Sequence, residues 1–140
     1  MKTPAELTEQ FRSQGLKITP QRVAVFDALH DNPTHPTAES VHSAVVDRMP
    51  TVSLRTVYQT LNDLAEMGEI SRLEVGTGSA RFDPNVEEPH HHLVCESCGM
   101  VRDLHVEVAP ALPDGELAGF EVAGAELVVR GRCRSCADKD

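Results

Sequence analysis

Residues 53–70 read SLRTVYQTLNDLAEMGEI. Leu54, Val57, Leu61, Leu64 and Met67 recur every three or four positions, the spacing of one apolar helix face. Ser53 is placed to cap the start and Gly68 to stop the end. Arg55, Thr56, Tyr58, Gln59 and Asn62 avoid that stripe and gather toward the N-terminal half. In a recognition helix, that half enters the major groove. Arg can address guanine, Gln or Asn can address adenine, and Tyr or Thr can reach phosphate. The plain alternative is a solvated polar face on a small helical domain.

The flanks favour a DNA reader. Toward the N-terminus, Pro4–Gln14 is expected to be a helix with Leu7 and Phe11 inward. Thr19-Pro20 opens a second helix through about His30, with Val23, Phe26 and Leu29 inward. Pro36-Thr37 starts a third, carrying Ala38, Val41, Val45 and Met49 and ending at Pro50. Toward the C-terminus the period drops to two over Ile70–Val75. Gly76–Ser79 then turns the chain back into Ala80–Phe82. Short helices followed by a hairpin make a winged helix-turn-helix, its third and fourth helices joined by Met49–Val52. Lys17 and Arg22 near the second helix, with Arg72 and Arg81 on the wing, are expected to add contacts to the DNA backbone.

The chain has 140 residues and a formal charge of -9, unevenly spread. Residues 1–82 carry eight Lys/Arg against ten Asp/Glu, and residues 83–140 carry five against twelve. A strongly acidic total excludes indiscriminate nucleic-acid binding, but the local patch decides whether a groove is read. The break puts a domain boundary at Asp83-Pro84, giving domains 1–83 and 84–140. The opening MKTPAELTEQFRSQG has no apolar signal region, and no apolar run suits a membrane span. A cytoplasmic protein is expected.

The second domain holds the metal chemistry. Cys95-x-x-Cys98 and Cys133-x-x-Cys136 supply four thiolates in two knuckles, the donor set of a closed structural zinc site. Such a staple suits a small domain with few large apolar groups. Between Pro89 and Cys95 runs HHHLV, of β character. Strand alternation places His90, His92 and Val94 on one face and His91, Leu93 and Cys95 on the other. The imidazole pair is therefore separate from the sulfur site. Two imidazoles lack partners, for which Asp103 on a return strand Met100–Leu104 and Asp83 at the hinge are candidates. A nitrogen and oxygen set of this kind takes Fe²⁺, Mn²⁺ or Zn²⁺ in exchangeable form. His30, His42 and His105 stand alone and read as surface residues. Phe120–Ala123 and Glu126–Arg132 look like strands. Apolar residues on both faces of such a sheet suggest dimerisation, which matches the two-fold geometry of a helix-turn-helix reader. The fold class is thus α+β: an N-terminal winged helix-turn-helix and a C-terminal α/β dimerisation domain with structural zinc.

LKITPQR (16–22), HPTAESV (35–41), SLRTVYQTLNDLAEMGEI (53–70), SARFD (79–83), HHHLVCESCGMVRDL (90–104) and GRCRSC (131–136), in this order, resemble the ferric uptake regulator (Fur) family of bacterial metal-dependent repressors. The resemblance implies a cytoplasmic homodimer on pseudo-palindromic double-stranded operator DNA, not an enzyme. It implies a structural Zn²⁺ on Cys95, Cys98, Cys133 and Cys136, and a regulatory Fe²⁺ or Mn²⁺ on His35, Asp83, His90, His92 and Asp103. His35 comes from the resemblance alone. Asp103, where iron sensors of the family usually have Glu, resembles the peroxide-sensing branch. There Fe²⁺ and hydrogen peroxide oxidise a ligand histidine, here His35 or His90, releasing metal and then DNA. An iron- or zinc-responsive repressor without peroxide sensing is the alternative. The family's further metal site lacks its late histidine here, which leaves His91 a spectator.

Overall fold

Each of the first four helices starts on a Thr or Ser whose side chain accepts a backbone N–H three residues on. The computed structural model describes residues 1–108 and 111–139. Thr3 caps α1 (Pro4–Ser13), Thr19 caps α2 (Pro20–Leu29), Thr37 caps α3 (Ala38–Val46) and Ser53 caps α4 (Leu54–Glu66). Each cap stabilises its helix by about 1 kcal/mol, because it satisfies an amide that the helix leaves without a partner. Thr3 and Glu6 exchange bonds reciprocally in a full capping box. Helix α3 stops at Val46, earlier than the expected Pro50, and Met49 is only partly buried.

The four helices close on one core. Phe11 of α1 meets Phe26 of α2 edge to face, ring centres 5.0 Å apart. Val25, Leu29, Val41, Val45, Val57, Leu61 and Leu64 fill the space around them. Two of the five expected apolar positions on α4 lie off its buried face. Leu54 is 36% exposed and Met67 only partly buried, whereas Thr60 is fully buried. At about 100° per residue the face is centred between Val57 and Leu64, so Leu54 and Met67 fall about 70° to either side. Thr60 lies nearer the centre and satisfies its hydroxyl by donating to the Thr56 carbonyl at 2.8 Å. The wing is a short antiparallel pair, β1 (Ser71–Leu73) and β2 (Arg81–Asp83), with Leu73 opposite Arg81. Helices and wing make the winged helix-turn-helix.

The chain forms two compact units, Met1–Glu88 and the segment from Pro89 on. The residues just past Asp83 stay with the first unit: Asn85 N–H donates to Asp83 Oδ1 at 2.8 Å, and the Met1 amino group donates to the Pro84 carbonyl at 2.8 Å.

The second unit is a three-stranded sheet in the order β4-β3-β5. The strands are β3 (His91–Cys95), β4 (Val101–Leu104) and β5 (Val128–Gly131). β4 runs antiparallel to β3 with His92 opposite Asp103, and β5 runs parallel to β3 with Cys95 opposite Gly131. One helical turn, α5 (Arg134–Ala137), follows Cys133. The strand expected over Glu126–Arg132 is reduced to β5, and Phe120–Ala123 is not a strand. Gly119, at φ +76°, turns the chain just before that segment, and Phe120 is 73% exposed. Among the described residues of this unit, the buried apolar set is only Val94, Cys95 and Val101. So small a core calls for a covalent or metal staple. No helix among the described residues is long and apolar enough to cross a membrane.

Candidate metal centres and nucleic-acid interface

Four sulfurs converge in the second unit. β3 ends on Cys95, the following turn carries Cys98, and β5 delivers Cys133 and Cys136 to the same place. All four cysteines are free thiols, and their sulfurs lie within 4.8 Å of one another. Sulfurs bound at about 2.3 Å around one Zn²⁺ in a tetrahedron stand about 3.8 Å apart. Cys98 Sγ and Cys133 Sγ are 3.8 Å apart, far beyond a disulfide bond. The electrostatics agree. The Cys133 N–H donates to Cys95 Sγ at 3.3 Å, and with the amide near Cys98 it lowers the Cys95 thiol to about 6. Cys136, crowded by Cys133 and the other sulfurs, is pushed up to about 12. A cation bound at the cluster would supply the positive charge that Cys136 needs to ionise beside Cys95. The cluster fits a closed Cys₄ zinc site.

Strand parity separates the histidines from the sulfurs as expected. His92 and Val94 are buried on one face of β3, and Cys95 points to the other. His90, just ahead of the strand, stacks edge to face on His92 with ring centres 4.9 Å apart. Its Nε2 lies 3.2 Å from Asp103 Oδ1, which β4 brings opposite His92. His90, His92 and Asp103 place one donor atom each within 4.8 Å of one another. Two imidazoles and a carboxylate fit a divalent ion of borderline hardness.

The first unit holds its own buried pair. His35 Nε2 lies 3.3 Å from Asp83 Oδ2, with both side chains less than 5% exposed. Strand β2 makes this pair. Phe82 N–H donates to the Pro36 carbonyl at 2.9 Å, and Arg81 Nη1 donates to the His35 carbonyl at 3.3 Å. These bonds hold the turn ahead of α3 against the wing, and Asp83 follows directly. His35 has φ +51°, in the left-handed region that a non-glycine residue adopts at a cost. Backbone strain at a buried imidazole marks a position whose side chain is being aimed. No local pattern around His35 signals this, because the carboxylate it meets is 48 residues away in sequence.

Three further histidines make contacts that the sequence does not foretell. His91 stands outside both donor groups, and its Nδ1 accepts the Leu127 N–H at 2.9 Å. His42 is half-buried and its Nε2 lies 3.0 Å from the Val52 carbonyl, bracing the turn between α3 and α4. His105 is exposed, yet its ring centre is 5.9 Å from that of His90. His30 is partly exposed beside Asp31, as a surface residue would be.

On the expected DNA face, Arg55, Gln59 and Asn62 of α4 are exposed, as is Lys17. Thr56 is half-buried and its hydroxyl bonds the capping Ser53 at 2.9 Å. Tyr58 is exposed, and its hydroxyl donates to Glu39 of α3 at 2.8 Å. Arg72 lies 3.1 Å from Glu74 on the wing. Arg22 sits elsewhere. Its side chain is 12% exposed, its Nη1 is 3.1 Å from Asp63 Oδ2, and its guanidinium stands 5.5 Å from the centre of the Phe11 ring. It braces α2 against α4 and α1 rather than standing out toward solvent.

A winged helix-turn-helix joined to a small unit with a Cys₄ cluster and a His/Asp donor set defines a metal-responsive transcriptional regulator. The model of the ferric uptake regulator family matches residues 13–129, and the chain belongs to that family. The peroxide operon regulator of Bacillus subtilis is 35% identical, over 96% of this chain and 94% of its own length. The transcriptional regulator FurA of Mycobacterium tuberculosis is 34% identical, over 100% of this chain and 96% of its own. The Helicobacter pylori ferric uptake regulator, described as having three functional metal binding sites, superposes with a TM-score of 0.74 at 23% identity, covering 95% of this chain and 90% of its own. Members of the family bind DNA, as the winged helix here is built to do.

Proposed function

We propose that this protein is a cytoplasmic, metal-dependent repressor that senses hydrogen peroxide. The observation that carries the reading is the His90–His92–Asp103 set, from the start of β3 and from β4, a nitrogen and oxygen donor group separate from the sulfur cluster and with His92 buried. In this reading Cys95, Cys98, Cys133 and Cys136 hold a permanent Zn²⁺. His90, His92 and Asp103 share one exchangeable Fe²⁺ or Mn²⁺ with His35 and Asp83 of the winged-helix unit. A metal that binds both units favours one arrangement of them, so its binding free energy is linked to DNA affinity. The resemblance of Asp103 to the peroxide-sensing branch and the 35% identity to a peroxide operon regulator support the sensing step. An Fe²⁺ held there would activate hydrogen peroxide. His35 or His90 would give up two electrons and gain one of its oxygens, the other leaving as water, and the oxidised imidazole would lose its place as a ligand.

The DNA partner in this reading is a pseudo-palindromic operator, contacted by α4 in each half of a homodimer. Exposed Val106, Val108, Leu112, Phe120, Val122 and Val129 give the second unit an apolar surface for self-association. The test is operator affinity with Fe²⁺ and with Mn²⁺, before and after peroxide, with mass spectrometry of the peptides holding His35 and His90. Both metals should activate binding, and peroxide should release only the Fe²⁺ form while adding one oxygen to one of these peptides. The ferric uptake regulator of Francisella tularensis, solved with iron and 26% identical to this chain, favours a second reading, an iron- or zinc-responsive repressor. Retained binding after peroxide with no added oxygen would select it.

A further inference from the structure

His92 makes a short polar contact through its Nδ1 with a carboxylate from the segment ahead of β5. Its Nδ1 lies 2.7 Å from Glu126 Oε1, the imidazole buried and the carboxylate half exposed. A carboxylate only accepts hydrogen bonds, so the proton between them sits on Nδ1. That fixes the tautomer in which Nε2 carries the lone pair, the atom that remains to face a metal. Glu126 itself does not join the converging donors of His90, His92 and Asp103.

The backbone around this contact is clamped. Leu127 N–H donates to His91 Nδ1 at 2.9 Å, and His92 N–H donates to the Leu127 carbonyl at 3.2 Å. Val128, next in the chain, sits opposite His92 as β5 begins. Glu126 is thus delivered to His92 by a strand that runs on to Cys133. At the other end of the ladder, Glu96 N–H donates to the Gly131 carbonyl at 2.8 Å. The sulfur cluster therefore anchors the segment that aims the histidine. His91 contributes by locking that segment in register.

We propose that Glu126 is the positioning residue of the regulatory metal site, holding His92 in orientation and tautomer from behind. The proposal rests on the reading of His90, His92 and Asp103 as metal ligands. Carboxylates behind metal-binding histidines change affinity by about 10–100-fold when removed. Glu126→Ala in the full chain should weaken Mn²⁺ binding by about that factor, measured by titration with zinc content and the β3 amide spectrum unchanged. Imidazole ¹⁵N shifts without added Mn²⁺ should show His92 as the Nδ1–H tautomer in the parent and as a mixture in the variant. Glu126→Gln, whose amide oxygen still accepts, should fall between the two.

Unchanged Mn²⁺ affinity in Glu126→Ala overturns the proposal. A loss of affinity with the His92 tautomer unchanged overturns it too, because a merely structural role gives that result. His92→Ala separates the two levels. If it also binds Mn²⁺ like the parent, the metal site is misassigned; if it alone loses Mn²⁺, only the role of Glu126 fails.

Discussion

The Tyr58 hydroxyl donates to Glu39 Oε1 at 2.8 Å, tying the middle of α4 to the first turn of α3. The bond holds the Glu39 carboxyl below the usual carboxylate range, after the larger effect of its own backbone N–H, and it pushes the Tyr58 hydroxyl up. Glu39 is therefore a full negative charge beside the helix expected to approach phosphates. Glu39→Gln keeps an oxygen for Tyr58 and removes the charge. Duplex binding at low salt should tighten several-fold, and the gain should shrink as salt screens the phosphates. Fluorescence anisotropy across a salt series checks it, and unchanged or weaker binding at low salt counts against α4 and α3 facing DNA.

Arg22 predicts the opposite kind of effect. Removing a guanidinium paired with Asp63 and set against Phe11 leaves a partly buried carboxylate and a gap beside the ring. Arg22→Ala should destabilise the first unit by about 2–3 kcal/mol. Arg55→Ala, which truncates an exposed side chain, should leave stability unchanged and weaken operator binding. Denaturant unfolding followed through helix content separates the two variants; equal stability losses would mean that Arg55 has a packing role as well.

These two arginines also show where sequence reading reaches its limit. Helix starts at Thr19, Thr37 and Ser53, and the β3 parity that divides His92 from Cys95, are legible because each depends on neighbours within a few positions. The Cys-x-x-Cys knuckles are legible because ligand geometry imposes their spacing. Arg22 reads as a DNA contact because it is a cation near the start of the second helix, but its partners Phe11 and Asp63 come from other helices. His35 and Glu126 are invisible for the same reason: each gains its meaning from a residue more than 30 positions away. Leu54 and Met67 fit the stripe but not the fold, since periodicity gives a face and not its width.

Glu69 supplies a pH test. Burial raises its carboxyl, and Lys2, bonding through Nζ at 2.7 Å and backbone N–H at 3.0 Å, outweighs that and leaves it below its usual range. A carboxyl lowered in the folded state contributes stability above its unfolded pKa, about 4.3, and loses it as pH falls through the folded value. Glu69→Gln should cost about 1–2 kcal/mol at pH 7. The gap to the parent should close below about pH 4. Paired urea titrations across that range test the sign; a gap constant with pH would assign the loss to packing.

Removing the zinc tests how the second unit is held. Its buried apolar set is small, and β5 is fixed beside β3 chiefly by the ladder that leads to Cys133. Metal binding in a unit of this size supplies on the order of 10 kcal/mol of folding free energy. Chelation, or Cys133→Ser, should therefore release β5. The Glu96 and His92 amides, which donate to the Gly131 and Leu127 carbonyls, should then lose protection from hydrogen exchange. Amides of α2 and α4 in the first unit, enclosed by their own core, should keep theirs. Mn²⁺ affinity should fall along with β5, because Glu126 and the His91 lock travel with that segment. Persisting protection at Glu96 and His92 in zinc-free protein would mean that the sheet stands without its sulfur staple.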